Sequence, residues 1–378
     1  MDALTTPLNW QRVRFGDIAE IKRGVRMTKN ELDVFGKYPV VSGGVGFLGY
    51  TNNFNRYENT ITIAQYGTAG YVNFQKNKFW ANDVCFCIYP NKDIIKNIFL
   101  YYFLKVNQNY LYEISNRNAT PYSISKDKIL DFEIPLPPLN EQIAIANILS
   151  DLDHYLYTLD ALILKKESVK KALSFELLSQ RKRLKGFNQA WQRVRLGDVG
   201  KPCMCKRVMK HQTTRYGEIP FYKIGTFGNT ADAFISKKLF LEYKTKYSFP
   251  KKGDILISAS GTIGRAVIYD GKPAYFQDSN IVWIDNDETL VKNDFLFYAY
   301  SNIKWNTEHT TILRLYNDNF RNTLIPLPPL NEQIAIANIL SDLDNEITSL
   351  KNKKRQFDNI KKALNHDLMS AKIRVLKK

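Results

Sequence analysis

The chain of 378 residues is poor in cysteine, with 4, and has no long apolar run. So few cysteines do not make a disulfide scaffold, and a reducing cytoplasm fits. No stretch of about 18 or more apolar residues occurs, so no membrane span is expected. The opening MDALTTPLNWQRVRFGD has no apolar region of a signal peptide, and neither end carries a lipidation motif. Acidic residues are also short, 37 Asp+Glu against 54 Lys+Arg, which leaves a net charge of +17. Such a surplus favours a polyanionic partner, nucleic acid or an anionic membrane surface. Both globular parts carry it, net +4 over residues 1–138 and +7 over 186–329, so the charge is not a tail.

Catalytic signatures are missing too. Gly44-Val45-Gly46-Phe47-Leu48-Gly49 fits GxGxxG after the apolar Tyr38 to Val41, but the following YTNNFNRYENT does not suit the helix a dinucleotide site requires. There is no Walker A motif and no Asn/Asp-Pro-Pro-Tyr/Phe motif of an amino-methyltransferase. Cys85 and Cys87, and Cys203 and Cys205, stand in CxC pairs in separate halves, a spacing that favours buried or incidental thiols over zinc. His154, His211, His309 and His366 do not cluster, and no Ser/His/Asp set can be argued. Asp151 and Asp153 read as solvated helix residues. No catalytic residue and no metal ligand is expected.

What is present is a repeat. IPLPPLNEQIAIANILSDLD runs from Ile134 to Asp153 and returns unchanged from Ile325 to Asp344, 191 residues on. WQRVRFGD at Trp10 returns as WQRVRLGD at Trp191, and Gly67-Thr68-Ala69-Gly70 as Gly261-Thr262-Ile263-Gly264, with offsets of 181 and 194. Between these landmarks the halves share little. Each half reads as a globular part of class α+β followed by a long helix. Strands are expected at Ile61–Ala64, Val84–Tyr89, Asp254–Ser258 and Ile281–Ile284, and helices around Ile94–Val106 and Asp294–Ile303. Pro135, Pro137 and Pro138, and their counterparts Pro326, Pro328 and Pro329, are expected to stop any strand. Asn140 and Asn331 are expected to cap the long helices, with Glu141 and Glu332 in the first turn.

Those helices carry apolar residues alternately four and three apart: Ile145, Leu149, Leu152, Leu156, Leu159 and Ile163 in one, Ile336, Leu340, Leu343, Ile347 and Leu350 in the other. A sustained period near 3.5 argues for coiled-coil packing. Lys166 and Lys170, and Lys354 and Lys361, interrupt the stripes and are expected to loosen them. An antiparallel pair of helices, each of some 40 residues and about 60 Å long, buries both stripes and holds the globular parts at opposite ends. The expected boundaries are 1–138 and 186–329 for the globular domains, and 139–185 and 330–378 for the helices.

Several loops combine cations, amides and aromatics suited to phosphates and base edges. Basic clusters fall at matching places after each WQRVR segment: Lys22, Arg23, Arg26 and Lys29, then Lys206, Arg207, Lys210 and Arg215. Gln65, Tyr66 and Thr68 correspond to the Ser260, Thr262 and Arg265 region. Arg117, Asn118 and Tyr122 lie in a loop matching that of Thr311, Arg314 and Tyr316. These are the candidate DNA-binding residues.

With PLPPLNEQ leading into a long helix, twice, after variable basic domains, the chain resembles the specificity subunit of type I restriction-modification systems along its whole length. The resemblance implies that each globular part is a target recognition domain and that the helices are conserved regions packed antiparallel, in a pseudo-twofold internal repeat. It implies double-stranded DNA with a bipartite target, two docked methyltransferase subunits holding the S-adenosylmethionine, and a restriction subunit. Leu139, Glu141 and Gln142, with Leu330, Glu332 and Gln333, are expected on the docking surface, where charge reversal of the glutamates weakens assembly and spares the fold. Identical helix segments call for identical partners, and divergent domains for an asymmetric target. The other reading is an orphan DNA-binding or scaffold protein without enzyme partners. Under the first reading the helices act as a ruler. Inserting a heptad after Leu159 is expected to lengthen the spacer in a methylation map and leave both half-sites alone; an altered half-site with the old spacer counts against it.

Overall fold

The computed structural model describes residues 9–118, 120–306, 308–309 and 313–375. The chain falls into two compact units, Met1–Ala161 with Asn352–Lys378, and Leu162–Lys351. Each unit therefore holds one globular part and one half of each long helix.

In the first unit an antiparallel sheet runs in the order Ala19–Arg23, Cys85–Pro90, Thr60–Ala64, Val72–Gln75. Its central strand, TITIA, is buried throughout, so its polar and apolar side chains alike sit inside. A second sheet sets Tyr38–Val41 between Gly49–Thr51 and Trp80–Ala81, the last pair parallel. A two-stranded ladder joins Gln11–Arg14 to Glu133–Leu136. The helix Asn97–Val106 lays Phe99, Leu100, Phe103 and Leu104 into the core. The second unit repeats the plan with Gly200–Met204, Ile281–Asn286, Ile255–Ser258 and Ala266–Ile268, then with Phe234–Ile235, Ile219–Tyr222 and Tyr275–Phe276. Its ladder is Gln192–Arg195 with Leu324–Leu327, and its core helix is Asn293–Tyr300. The strands and core helices expected from sequence are there. The helix Lys237–Lys246 belongs to the second unit alone, and its insertion supplies most of the growth of the repeat offset from 181 to 194.

Two local expectations are corrected. Pro135 and Pro326 sit within strands, opposite Arg12 and Arg193. Each ladder has only two strands, so a residue without an N–H is tolerated on its open side. The long helices, Leu139–Leu178 and Leu330–Met369, begin one residue before the asparagines. The carbonyl of Pro138 takes the N–H groups of Glu141 and Gln142, as that of Pro329 does for Glu332 and Gln333, and Asn140 Oδ1 accepts from Glu141 N instead of capping from outside.

The apolar stripe is buried at Ile145, Leu149, Leu156, Leu159 and Ile163, and at Ile336, Leu340 and Ile347. Each such side chain contributes about 1.5–3 kcal/mol relative to exposure. Within each unit the helix halves run antiparallel. In the first, Asp153 meets Lys361, Tyr155 meets Phe357 at 4.7 Å between ring centroids, and Asp160 meets Lys354 at 2.8 Å. In the second, Lys166 pairs with Glu346 at 2.8 Å and Lys170 with Asp344 at 2.5 Å. The stripe lysines therefore do not loosen the pairing, because each meets a carboxylate on the facing helix. Asp153 is accordingly not a free surface acid. It also accepts from Tyr102 Oη at 2.7 Å, just as Asp344 accepts from Tyr298 Oη at 2.9 Å. Burial, and then the carboxylate, push both phenols well above the ordinary tyrosine range.

The expected docking residues also need correction. Glu141 is 2% exposed and Glu332 1%. Arg374, in the segment after the second long helix, forms a two-pronged pair with Glu141 at 2.7 and 2.9 Å, and Trp10 Nε1 donates to the same carboxylate. Arg183, in the segment after the first, does so for Glu332 at 2.9 and 2.8 Å, with Trp191 Nε1 donating at 2.8 Å. Gln142 and Gln333 are fully buried. Their amides donate to the carbonyls of Ile94 and Pro137, and of Leu290 and Pro328; their oxygens accept from Lys96 N and Lys292 N. Leu139 and Leu330 are half-buried. Glu141, Gln142, Glu332 and Gln333 therefore seal each helix to its globular part and offer no docking surface. Removing one member of a buried charge pair leaves the other uncompensated. Glu141→Ala or Glu332→Ala is expected to cost roughly 3 kcal/mol in urea unfolding, and charge reversal more; an unchanged midpoint would deny the pair that role.

Candidate nucleic-acid interface

In the first unit the loop after Thr60–Ala64 is stitched to two neighbours. Gly67 N donates to Tyr122 O at 3.0 Å and Ile124 N to Gln65 O at 2.9 Å, while Thr68 donates to Gly43 O through both N and Oγ1. Gly67 has φ +78 and Gly70 φ +87, and a Cβ on Gly70 would lie 2.8 Å from Leu111 O. The turn therefore depends on glycine at both positions. Arg23 Nε donates to Gln65 Oε1 at 2.8 Å, which brings this one member of the first basic cluster to the loop. The Arg117 guanidinium lies 5.1 Å from the Tyr112 ring and 5.0 Å from the Tyr122 ring, with Nε on Tyr112 O. Burial raises the Tyr112 phenol. Arg23, Gln65, Tyr66, Thr68, Arg117 and Tyr122 thus form one neighbourhood, with Asn118 exposed at its rim. Lys22 is held elsewhere, by Glu20 at 3.1 Å and the face of Tyr89. Arg26 and Lys29 are exposed beside the short 3-10 turn Lys29–Glu31.

In the second unit a cleft of about 620 Å³ gathers Arg207, Lys210 and Arg314 with Lys223, Gln277 and Asn280. Arg314 donates to Ser279 O at 2.9 Å and to Asn280 Oδ1 at 3.3 Å, and Ser260 Oγ donates to Asn280 Oδ1 at 2.8 Å. Arg207 is held by Asp278 at 3.0 Å. The guanidiniums line the cleft with part of their donor capacity fixed, a preorganised arrangement for an anionic ligand. Thr262 is exposed on its turn, and Arg265 donates outward to Gly228 O. Lys206 lies over the Tyr247 ring, and Tyr316 is partly exposed just before the helix Asn317–Asn322. Thr311 lies outside the described residues. Sequence reasoning missed Lys223, Gln277 and Asn280. The parallel pairing of Ile219–Tyr222 with Tyr275–Phe276 brings Lys223 and Gln277 together, and Asn280 is set beside Arg314 by the backbone contacts of Ala259 with Asn280 and Leu315; no local pattern announces either.

The four cysteines are free thiols. Burial pushes Cys205 up to about 12. Among the described residues no group of three or more His, Cys, Asp or Glu could hold a metal ion, and no helix is long and apolar enough to cross a membrane.

The chain matches the family described as "Type I restriction modification DNA specificity domain" over residues 7–166 and again over 188–357. It is 41% identical over 349 residues to a putative type I restriction enzyme specificity subunit of Haemophilus influenzae, covering 88% of this chain and 87% of that protein. It is 28% identical over 415 residues to the MjaVIII specificity subunit of Methanocaldococcus jannaschii, covering 99% and 95%. Its fold is similar to the crystal structure of a type I restriction-modification S subunit from M. genitalium, with TM-score 0.68 at 21% identity over 97% of each chain. Two domain matches, one per repeat, and a relative at 41% identity over most of both chains lead to one conclusion: this chain belongs to the type I restriction-modification specificity family and carries its domain twice.

Proposed function

We propose that this chain is the non-catalytic DNA-recognition subunit of a type I restriction-modification complex, reading an asymmetric bipartite site with one half-site per globular domain. The observation that carries this reading is the contrast inside the repeat. The sheet order recurs and the helix seals recur residue for residue, while the exposed loops differ. A ligand read by such loops presents a different sequence to each domain.

The reading includes two methyltransferase subunits, which hold S-adenosylmethionine, a restriction subunit, and a cytoplasmic setting. With Glu141 and Glu332 buried, the docking surface shifts to the outer stripe of the identical segments. Asn140, Ile143, Asn147 and Asp151 are exposed on the first helix, and Asn331, Ile334, Asn338 and Asp342 on the second. Ile143 and Ile334 are each 44% exposed, so identical partners meet identical apolar anchors.

A methylation map of the host genome, with the gene intact and deleted, tests the function. Loss of one asymmetric bipartite methylated motif on deletion is expected, and an unchanged map contradicts the reading. Ile143→Asp with Ile334→Asp should abolish copurification with the methyltransferase subunit and leave the fold intact. Arg207→Ala and Lys210→Ala should each weaken DNA binding and lower the salt slope by about 1. An unchanged slope removes that residue from the phosphate contacts.

A further inference from the structure

Phe35-Gly36-Lys37-Tyr38-Pro39 and Tyr216-Gly217-Glu218-Ile219-Pro220 stand at the 181 offset, in a stretch where little else is kept. Each lies between a 3-10 turn, Lys29–Glu31 or Lys210–Gln212, and a strand, Tyr38–Val41 or Ile219–Tyr222. Phe35 is 93% exposed and Tyr216 85%. Leaving a large ring in water costs its transfer free energy, so its return in both divergent domains calls for a use.

The two tips are held rigidly by different means. In the first unit Asp33 N donates to Tyr50 O at 2.8 Å. Asp33 Oδ1 accepts from Phe35 N at 2.9 Å, and its carbonyl from Gly36 N at 3.0 Å. In the second, Thr214 and Phe234 exchange backbone hydrogen bonds at 2.9 Å each, and Thr214 Oγ1 donates to Tyr216 O at 2.8 Å. A Cβ on Gly36 would lie 2.4 Å from Thr51 N, and one on Gly217 2.8 Å from Phe234 Cβ, so glycine lets each tip turn tightly against its neighbouring strand. Exposed cations stand close by in the chain: Lys29 and Lys37 within six residues of Phe35, and Lys210 and Arg215 within six of Tyr216. The nearby acids are Asp33, whose carboxylate accepts from Phe35 N and the Asn52 amide, Glu31, engaged by Thr28, and Glu218.

We propose that Phe35 and Tyr216 are aromatic wedges, one per domain, that stack against a base step of the DNA beside each half-site. This rests on the recognition reading above. An exposed ring among cations suits a polyanion that offers faces for stacking. Base edges differ from sequence to sequence, but every base has a face. A residue kept in both domains therefore fits the face, while the divergent loops fit the edges. The other feature common to both halves is the methyltransferase partner. A surface shared by two identical partners would preserve its neighbours, as the helix segments do, whereas here Val34 is replaced by Arg215 and Lys37 by Glu218.

The test uses the full chain in complex with its methyltransferase subunit, and sheared host genomic DNA as the probe. p-Benzoylphenylalanine at position 35 or 216 is expected to crosslink to DNA on irradiation. Phe35→Ala and Tyr216→Ala should each weaken binding about ten-fold with the salt slope unchanged, since no charge is lost, and Tyr216→Phe should bind as the parent does. Unchanged circular dichroism shows that the alanine variants fold. Crosslinks to the methyltransferase subunit alone, or alanine variants that bind within about two-fold of the parent, overturn the wedge while wild-type binding keeps the recognition reading in place. A wild-type complex that binds no DNA overturns both.

Discussion

The structure depends on a carboxylate buried at the foot of each long helix. Glu141 and Glu332 are shielded from water, and each is neutralised by a guanidinium that grips both oxygens and by an indole N–H. A buried carboxylate is costly unless its charge and lone pairs are satisfied. The seal therefore holds only when three distant pieces of chain arrive together: the tryptophan before the first strand, the helix start, and the segment after the other long helix. Neighbouring Gln142 and Gln333 add amides with each hydrogen bond answered in the same way. Such polar groups, fully satisfied, fix one geometry where an apolar contact would tolerate several.

A second ring of polar contacts lies further along each helix. Tyr102, Asp153 and Lys361 form one triad, and Tyr298, Asp344 and Lys170 the other. These explain two of the four lysines that break the apolar stripe, Lys361 and Lys170. Each supplies the cation for an aspartate that also takes a phenol from the core helix of its unit, so one carboxylate ties the helix pair to the core helix.

Much of this was legible in sequence, for physical reasons. The strands Thr60–Ala64 and Ile255–Ser258 are short β-branched runs, and the long helices declare themselves through the spacing of Ile145, Leu149 and Leu156. The repeat itself announced two units of one plan. What misled was polarity. Glu141 and Gln142 in a first helical turn look solvated, because their partners lie far away in the chain, Trp10 before them and Arg374 after. Pro135 looked like a strand breaker because nothing local says that its ladder has an open side. The loop neighbourhoods were only half visible: Arg314 could be named from its type, but Asn280 and Lys223 join its cleft only through backbone pairings between segments distant in the chain. The paired Phe-Gly and Tyr-Gly tips were in plain view at the 181 offset, hidden by the divergence around them.

Each seal draws its arginine from beyond the other repeat's helix: Glu141 takes Arg374, and Glu332 takes Arg183. In topological terms the chain is a domain-swapped dimer written as a single polypeptide, each half lending the other the segment that closes it. Arg183 and Arg374 stand at the same 191 offset as the helix segments, so either half of the gene encodes a complete set of lending and borrowing parts. The residues that close each unit lie outside the reading loops. One set of loops can be exchanged for another by recombination between the repeated helix segments, with every seal re-formed on the far side of the crossover.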